Sequence, residues 1–370
     1  MFIKKMALLL KESGYQISIV TPKIYAKSHC VEEKEGIRIY RFPFFSGNRP
    51  LIEYEKIPYL RMVFYYAAGF FLAIYVVLKH KCHLLHAHWA IPTGFIGVLV
   101  GAFLKIPLIV TIHGSDSRIS ASRPFILKKL FLYVCKKARH IICVSEVLRR
   151  DVEKLGIEGD KISVSPMGVD EFFFTPLVNR GGNRMDQWFT ILSNRQLQPV
   201  YNISLLIRAI PIVLKEEPNA RFIIAGIGSE REKLEKQAED LNISSKVQFL
   251  GWVAHEEMPK LLSKADIYIS TSLDDGTSIS LLEAMASGTF PIVTDIPSNR
   301  EWISDGENGF LVPIDEERYL AEKILEAIRN QGLREGSRVK NFCLIKEKGL
   351  WSVTIEKTKE IYKTVLDSKS

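Results

Sequence analysis

Between Thr271 and Gly288 the chain reads TSLDDGTSISLLEAMASG. Adjacent carboxylates, Asp274 and Asp275, then Gly276 and the hydroxyls of Thr277 and Ser278, stand directly before an apolar helical run. The free N–H groups of a helix's first turn, together with the helix dipole, attract a phosphate. Gly276 lets the backbone approach a ligand closely. Thr277 or Ser278 can cap the helix and also donate to an anion. Asp275 and Glu283, eight residues apart, repel phosphate but suit neutral hydroxyl groups as hydrogen-bond acceptors. A ligand with a diphosphate in its middle and a sugar at each end matches this set, and that describes a nucleotide sugar. The same residues also allow a plainer arrangement, with the aspartates capping the helix and Glu283 solvated, because short motifs recur by chance.

The elements that must position these groups are short apolar runs separated by helix-length segments. Strands are expected at 16–22, 37–42, 83–89, 108–114, 140–146 and 162–166, and again at 189–194, 221–226, 247–252, 267–272, 291–295 and 310–313. Runs that are apolar on both faces and alternate with helices point to parallel sheets covered by helices on each side. Asp274 to Thr277 then lies at the C-terminal edge of a parallel sheet, where ligands bind in open α/β folds. The pattern breaks near LVNRGGNRMDQW, 177–188, as a linker between two doubly wound domains would. The tail at about 333–366 reads as amphipathic helix anchored by Trp351, Ile355 and Ile361. At the other end, residues 3–13 already read as a helix closed by Gly14. A doubly wound domain usually opens with a strand and a glycine turn, so that strand and turn are expected to be missing.

Composition is that of a soluble globular chain, with 47% apolar and 25% charged residues among 370. Five scattered cysteines without CxxC spacing point to reduced thiols in the cytoplasm. The net charge of +8 is localised: Arg118 to Arg150 carries nine Lys/Arg against Glu146 alone. A basic patch implies an anionic partner. No nucleic-acid module is recognisable, so nucleic acid is not expected, whereas SRPFILKKLFLYVCKKAR can lay an apolar face into an anionic membrane surface. The uncharged run Met62 to Leu78 is short for a span and is read as a core helix. His86 and His88 share one strand face, and packing is the expected role rather than metal ligation. Ser145 lacks a nucleophile elbow and reads as a helix cap.

Taken together, the acidic-x7-Glu spacing with AMASG, PIVTD and GENGFLV resembles the retaining glycosyltransferases of family 4, which have the two-domain GT-B fold. HAHWAIPTG (86–94), TIHGSD (111–116), VSPMGVD (164–170), FIIAGIGSE (222–230), VQFLGWV (247–253) and ADIYIST (265–271) follow in the right order. The resemblance implies an α/β chain of two Rossmann-like domains facing across a cleft, at 1–178 and 179–348, with a helix at 349–370 packing back on the first. It implies that Glu283 holds the donor ribose and Asp275 the hydroxyls of the transferred sugar. The N–H groups of Gly276, Thr277 and Ser278 would meet the phosphates, with Gly226 also on the donor. Arg195 would pair with the diphosphate, Val253 would line the base pocket, and His113 would face the reacting sugar, with Asp116 on the acceptor side. No metal and no cofactor are implied; the co-substrate is a nucleotide sugar, a UDP-sugar foremost. The acceptor would be a glycan or a lipid-linked hydroxyl at the inner membrane face, in polysaccharide or glycolipid synthesis. Three positions depart from the family: Asp275 replaces a glutamate, Val200 and Tyr201 stand where a lysine is usual, and the opening glycine turn is missing. A nucleotide-sugar-binding paralogue without turnover, serving as a partner subunit, is the alternative; an epimerase of the same fold is a weaker one.

Overall fold

The computed structural model describes residues 2–44, 47–48, 59–114, 125–174 and 188–367. The chain divides into two compact units, Met1–Ser165 with Ile355–Ser370, and Pro166–Thr354. The break expected at 177–188 falls almost wholly outside the described residues.

In the first unit α1 (Phe2–Glu12) precedes β1 (Ser18–Lys23), β2 (Val31–Lys34) and β3 (Ile37–Pro43). Then come α2 (Tyr59–His80), β4 (Leu85–His88), α3 (Phe95–Leu104), β5 (Leu108–Ile112), α4 (Phe125–Lys137), β6 (His140–Cys143), α5 (Glu146–Lys154) and β7 (Ile162–Val164). The strands form two sheets, in the orders β1-β3-β2 and β4-β5-β6-β7. All five residues of β5 are buried, as its unbroken apolar sequence requires of a strand covered on both faces. Strand β2, of sequence VEEK, was not expected. Its charges sit on a mostly exposed edge strand, antiparallel to β3. Glu35 and Gly36, both at positive φ (53° and 72°), make the two-residue turn that joins the pair.

Helix α2 differs from the core helix expected of its sequence. Tyr65, Ala73, Val76 and Val77 are buried, while Leu60, Val63, Phe64, Phe71, Tyr75 and Leu78 are exposed. The helix lies against β1, β3 and α3 on one side only, so it can bury one stripe. Because both stripes are apolar, periodicity cannot tell the outer from the inner. Residues Leu60–His80 form the one helix, among the described residues, long and apolar enough to cross a membrane.

The second unit runs through β8 (Phe189–Ser193), α6 (Ile203–Glu216), β9 (Ala220–Ala225), α7 (Arg231–Asp240), β10 (Val247–Gly251), α8 (Met258–Lys264) and β11 (Ile267–Ser270). It continues with α9 (Ile279–Ala286), β12 (Phe290–Thr294), β13 (Phe310–Val312), α10 (Glu317–Arg329) and α11 (Gln331–Lys348). One six-stranded sheet results, in the order β10-β9-β8-β11-β12-β13, and every pairing is parallel. Alternate strand residues feed two cores. Ile191, Phe222, Ile267 and Ile269 pack with Leu206, Ile210, Leu234 and Ile324 on one face. Leu192, Tyr268 and Val293 pack with Leu262, Leu282, Met285 and Ile345 on the other. Each fully buried apolar side chain of this size contributes about 1.5–3 kcal/mol. Helix α12 (Trp351–Asp367) closes the described chain, with Trp351, Ile355 and Ile361 buried.

Candidate functional site

In the second unit the strand order reverses between β8 and β11, which pair directly through Ile267–Ile191 and Tyr268–Leu192. A crevice opens beyond the carboxyl ends of two strands at such a reversal. Arg195 leaves β8 there, and the loop carrying Asp275 to Ser278 leaves β11. Helix α9 begins where the sequence suggested: Ser278 is its N-cap, accepting from Leu281 N–H at 3.3 Å. Gly288, at φ 68°, ends it in a left-handed turn, with Gly288 N–H donating to Met285 and Thr289 N–H to Ala284.

Arg195 ties the crevice together. It is 7% exposed; Nη1 donates to Ser278 Oγ at 2.8 Å, and Nη2 donates to Asp275 in an ion pair. Tyr201 presents its ring face 4.3 Å from the guanidinium carbon, a cation–π contact. One position where a family lysine was expected thus carries the platform on which the arginine rests. Burial works against the charge of Arg195, yet the Asp275 carboxylate holds its pKa above the ordinary value. Nε is buried and finds no acceptor among the described residues. Asp275 and Arg195, assigned by resemblance to different parts of a ligand, are therefore partners of each other here.

Glu283 lies one turn into α9 and is also 7% exposed. Burial raises its pKa to about 7, against the pull of His255. His255 Nδ1 stands 3.6 Å from Glu283 Oε1, and Nε2 stands 3.4 Å from Asp170 Oδ2. Hydrogen bonding to Asp170 raises the pKa of His255. The two carboxylates face opposite nitrogens of one ring, so a single ion cannot touch all three groups. Asp170 lay inside the VSPMGVD motif and His255 just past VQFLGWV. Neither carries a spacing signal to Glu283, because the three meet only through the fold.

Gly226 and Gly228 follow β9, and a Cβ on them would stand 2.2 Å from the Arg195 carbonyl oxygen and 2.1 Å from that of Leu197. Glycine there lets the end of β9 run against the backbone that carries Arg195. Gly276 is buried beside Thr277 and Ser278, and Val253 is half-buried against the core on the α9 face of the sheet.

His113 belongs to the first unit, immediately after β5. Its Nε2 is 3.0 Å from His88 Nδ1, and burial pushes its pKa down to about 3. His86 bonds Tyr362 Oη at 2.6 Å and Thr111 Oγ1 at 2.7 Å. These histidines are bonded to one another or to hydroxyls, and burial lowers the pKa of each, in keeping with the packing role expected of His86 and His88. Among the described residues no group of three or more His, Cys, Asp or Glu is disposed to hold a metal ion. Ser145 caps α5 through Leu148 N–H at 3.3 Å. Asp116, expected on the acceptor side, lies outside the described residues.

Comparison with known proteins bears on the family and the fold. Residues 1–171 match the family model described as Glycosyltransferase Family 4, and residues 179–340 match that of Glycosyl transferases group 1. Alpha-monoglucosyldiacylglycerol synthase of Streptococcus pneumoniae is 27% identical over 313 residues, 80% of this chain and 67% of that protein. Sucrose-phosphate synthase from Thermosynechococcus elongatus superimposes with a TM-score of 0.82 at 17% identity, covering 99% of this chain and 93% of that one. HepE of Anabaena, solved in complex with UDP-glucose, has a TM-score of 0.72 at 18% identity, covering 89% and 86%. The family models and the fold together define a glycosyltransferase of the GT-B class. Within that class the chain belongs to family 4.

Proposed function

We propose that this protein is a retaining glycosyltransferase that moves a sugar from a nucleotide diphosphate, a UDP-sugar foremost, to a hydroxyl on a lipid or lipid-linked glycan. The observation that carries the reading is the crevice at the strand reversal. A buried arginine with one uncommitted donor, a serine-capped helix start, the buried carboxylate of Glu283 and the half-buried one of Asp275 converge there. Arg195 Nε and the first amides of α9 neutralise the diphosphate as it leaves. Asp275, restrained by Arg195, accepts from hydroxyls of the transferred sugar, and Glu283 accepts from the ribose. The bond from the sugar's anomeric carbon to the phosphate oxygen breaks, and a bond to the acceptor oxygen forms on the same face. The acceptor's proton passes to the departing phosphate oxygen. This chemistry needs no metal and no cofactor, because protein cations and the helix start supply the neutralisation.

A membrane-surface acceptor has two supports in the fold. The exposed apolar stripe of α2 is one. The other is α4, where Lys128, Lys129, Lys136 and Lys137 are exposed beside exposed Phe125 and Ile126. The similarity to a diacylglycerol-lipid synthase points the same way. Such a protein works from the cytoplasm as a peripheral membrane enzyme. Incubation with UDP-, GDP- and ADP-sugars, with and without diacylglycerol vesicles, tests the reading by release of the nucleoside diphosphate. Acceptor-dependent release with an α-linked product is expected from an α-linked donor. Saturable binding without release identifies a non-catalytic partner subunit instead, and an altered sugar without acceptor identifies an epimerase.

A further inference from the structure

The reaction as drawn leaves Asp170 and His255 without a role, yet they stand in a row with Glu283. Asp170 precedes the short turn Glu171–Phe173, His255 lies in the loop after β10, and Glu283 is on α9. Three separate segments of one unit thus bring a carboxylate to each nitrogen of a single imidazole, at 3.4 and 3.6 Å. The rings of Phe172 and Phe173 wall the imidazole, with centroids at 5.5 and 5.2 Å. Nε2 is within hydrogen-bond reach of Asp170 and Nδ1 within ion-pair reach of Glu283, and a ring with a carboxylate on each side favours the imidazolium form.

Resting on the donor reading above, we propose that His255 is a positioning residue for nucleotide binding: anchored by Asp170, its charge shifts Glu283 toward the carboxylate that accepts from the ribose hydroxyls. A carboxyl in so dry a place otherwise takes up a proton, and a protonated carboxyl loses acceptor capacity. Among the described residues the other charged groups facing the pair are Arg195, Asp170 and Glu256. Burial pushes Glu283 up to about 7, His255 and Arg195 pull it down, and Asp170 pushes it up. His255 is raised by its bond to Asp170, against burial, and further by Glu283 and Glu256. Nucleotide binding therefore requires the proton to sit on the histidine and not on the glutamate.

Titration calorimetry with UDP on the full chain at pH 6 and pH 8.5 tests this, comparing wild type with His255→Asn; protonation of UDP itself cancels in the comparison. The variant should bind within about twofold of wild type at pH 8.5 and about tenfold more weakly at pH 6. Loss of a neighbouring charge moves a carboxyl pKa by about one unit or more, and one unit is a factor of ten in the ionised fraction. An equal loss at both pH values would mean that His255 only packs, and would overturn the proposal. NMR titration of the His255 ring without nucleotide is the second measurement. Its pKa should fall in Glu283→Gln, and an unmoved value also overturns the link. If wild type binds none of UDP, GDP or ADP, the donor reading itself fails and takes this inference with it. Binding with an unshifted pH profile sinks this inference alone.

Discussion

Replacing Arg195 by methionine keeps the length and apolar stem of the side chain and removes its charge. The structure sets the cost. The side chains of Arg195 and Asp275 are 8% and 16% exposed, so solvent cannot take over the role of the lost partner. Removing one member of a buried ion pair costs about 3–5 kcal/mol, mainly because the other charge is left uncompensated. For a domain of this size each kcal/mol lowers the Tm by roughly 2–4 °C, so a drop of roughly 6–20 °C is expected. Differential scanning calorimetry at pH 8 measures it. In an Asp275→Asn background the stranded charge is gone, and the same arginine replacement should cost less by about 0.5–3 kcal/mol. UDP binding should weaken roughly 10- to 150-fold, the equivalent of a lost charged hydrogen bond of about 1.5–3 kcal/mol. A Tm drop below about 2 °C, or one that is unchanged in the Asp275→Asn background, would refute the claim that this pair organises the crevice.

Glu283→Gln separates binding from stability. With burial holding its pKa at about 7 against an ordinary 4.5, the folded state keeps a proton that the unfolded chain releases between those values. The carboxyl therefore weakens the fold as pH rises through that window. The glutamine variant should exceed wild type in stability above pH 7 by at most about 3 kcal/mol, a gain that disappears below pH 4.5; urea unfolding at pH 4 and pH 8 reads it. Its UDP affinity should collapse, and retained affinity would remove the ribose assignment. Gly226→Ala forces a methyl group against the Arg195 carbonyl and should cost about 1–3 kcal/mol, with weakened UDP binding as Arg195 shifts; chemical denaturation checks the first and calorimetry the second. Charge reversal of Lys128, Lys129, Lys136 and Lys137 should abolish sedimentation with phosphatidylglycerol vesicles, and Phe71→Ser with Leu78→Ser should weaken it; undiminished sedimentation in both would show these faces to be ordinary surface.

Both sheets of parallel strands were legible because their residues are apolar on each face, a pattern that local sequence carries in full. The β2 edge strand was not, since VEEK has no apolar face and owes its conformation to pairing with β3 and to the Glu35-Gly36 turn. The outward face of α2 was hidden for the opposite reason: it is as apolar as its buried face. At the candidate site, the capping by Ser278 follows from spacing within one loop and helix. The contacts of Arg195 with Asp275, and of His255 with Asp170 and Glu283, join residues roughly 30 to 85 positions apart. Only the strand order brings them together, and no single stretch of sequence encodes that.

Residues Ile355–Ser370 belong to the first unit, although the whole of the second lies between them and Ser165. During synthesis the second unit is thus a complete, uninterrupted segment before the first has all its parts. Tyr362, whose hydroxyl bonds half-buried His86, emerges after both. The usual order in which leading domains finish first is reversed, and protease protection on stalled nascent chains should appear in 166–354 before it appears in 1–165.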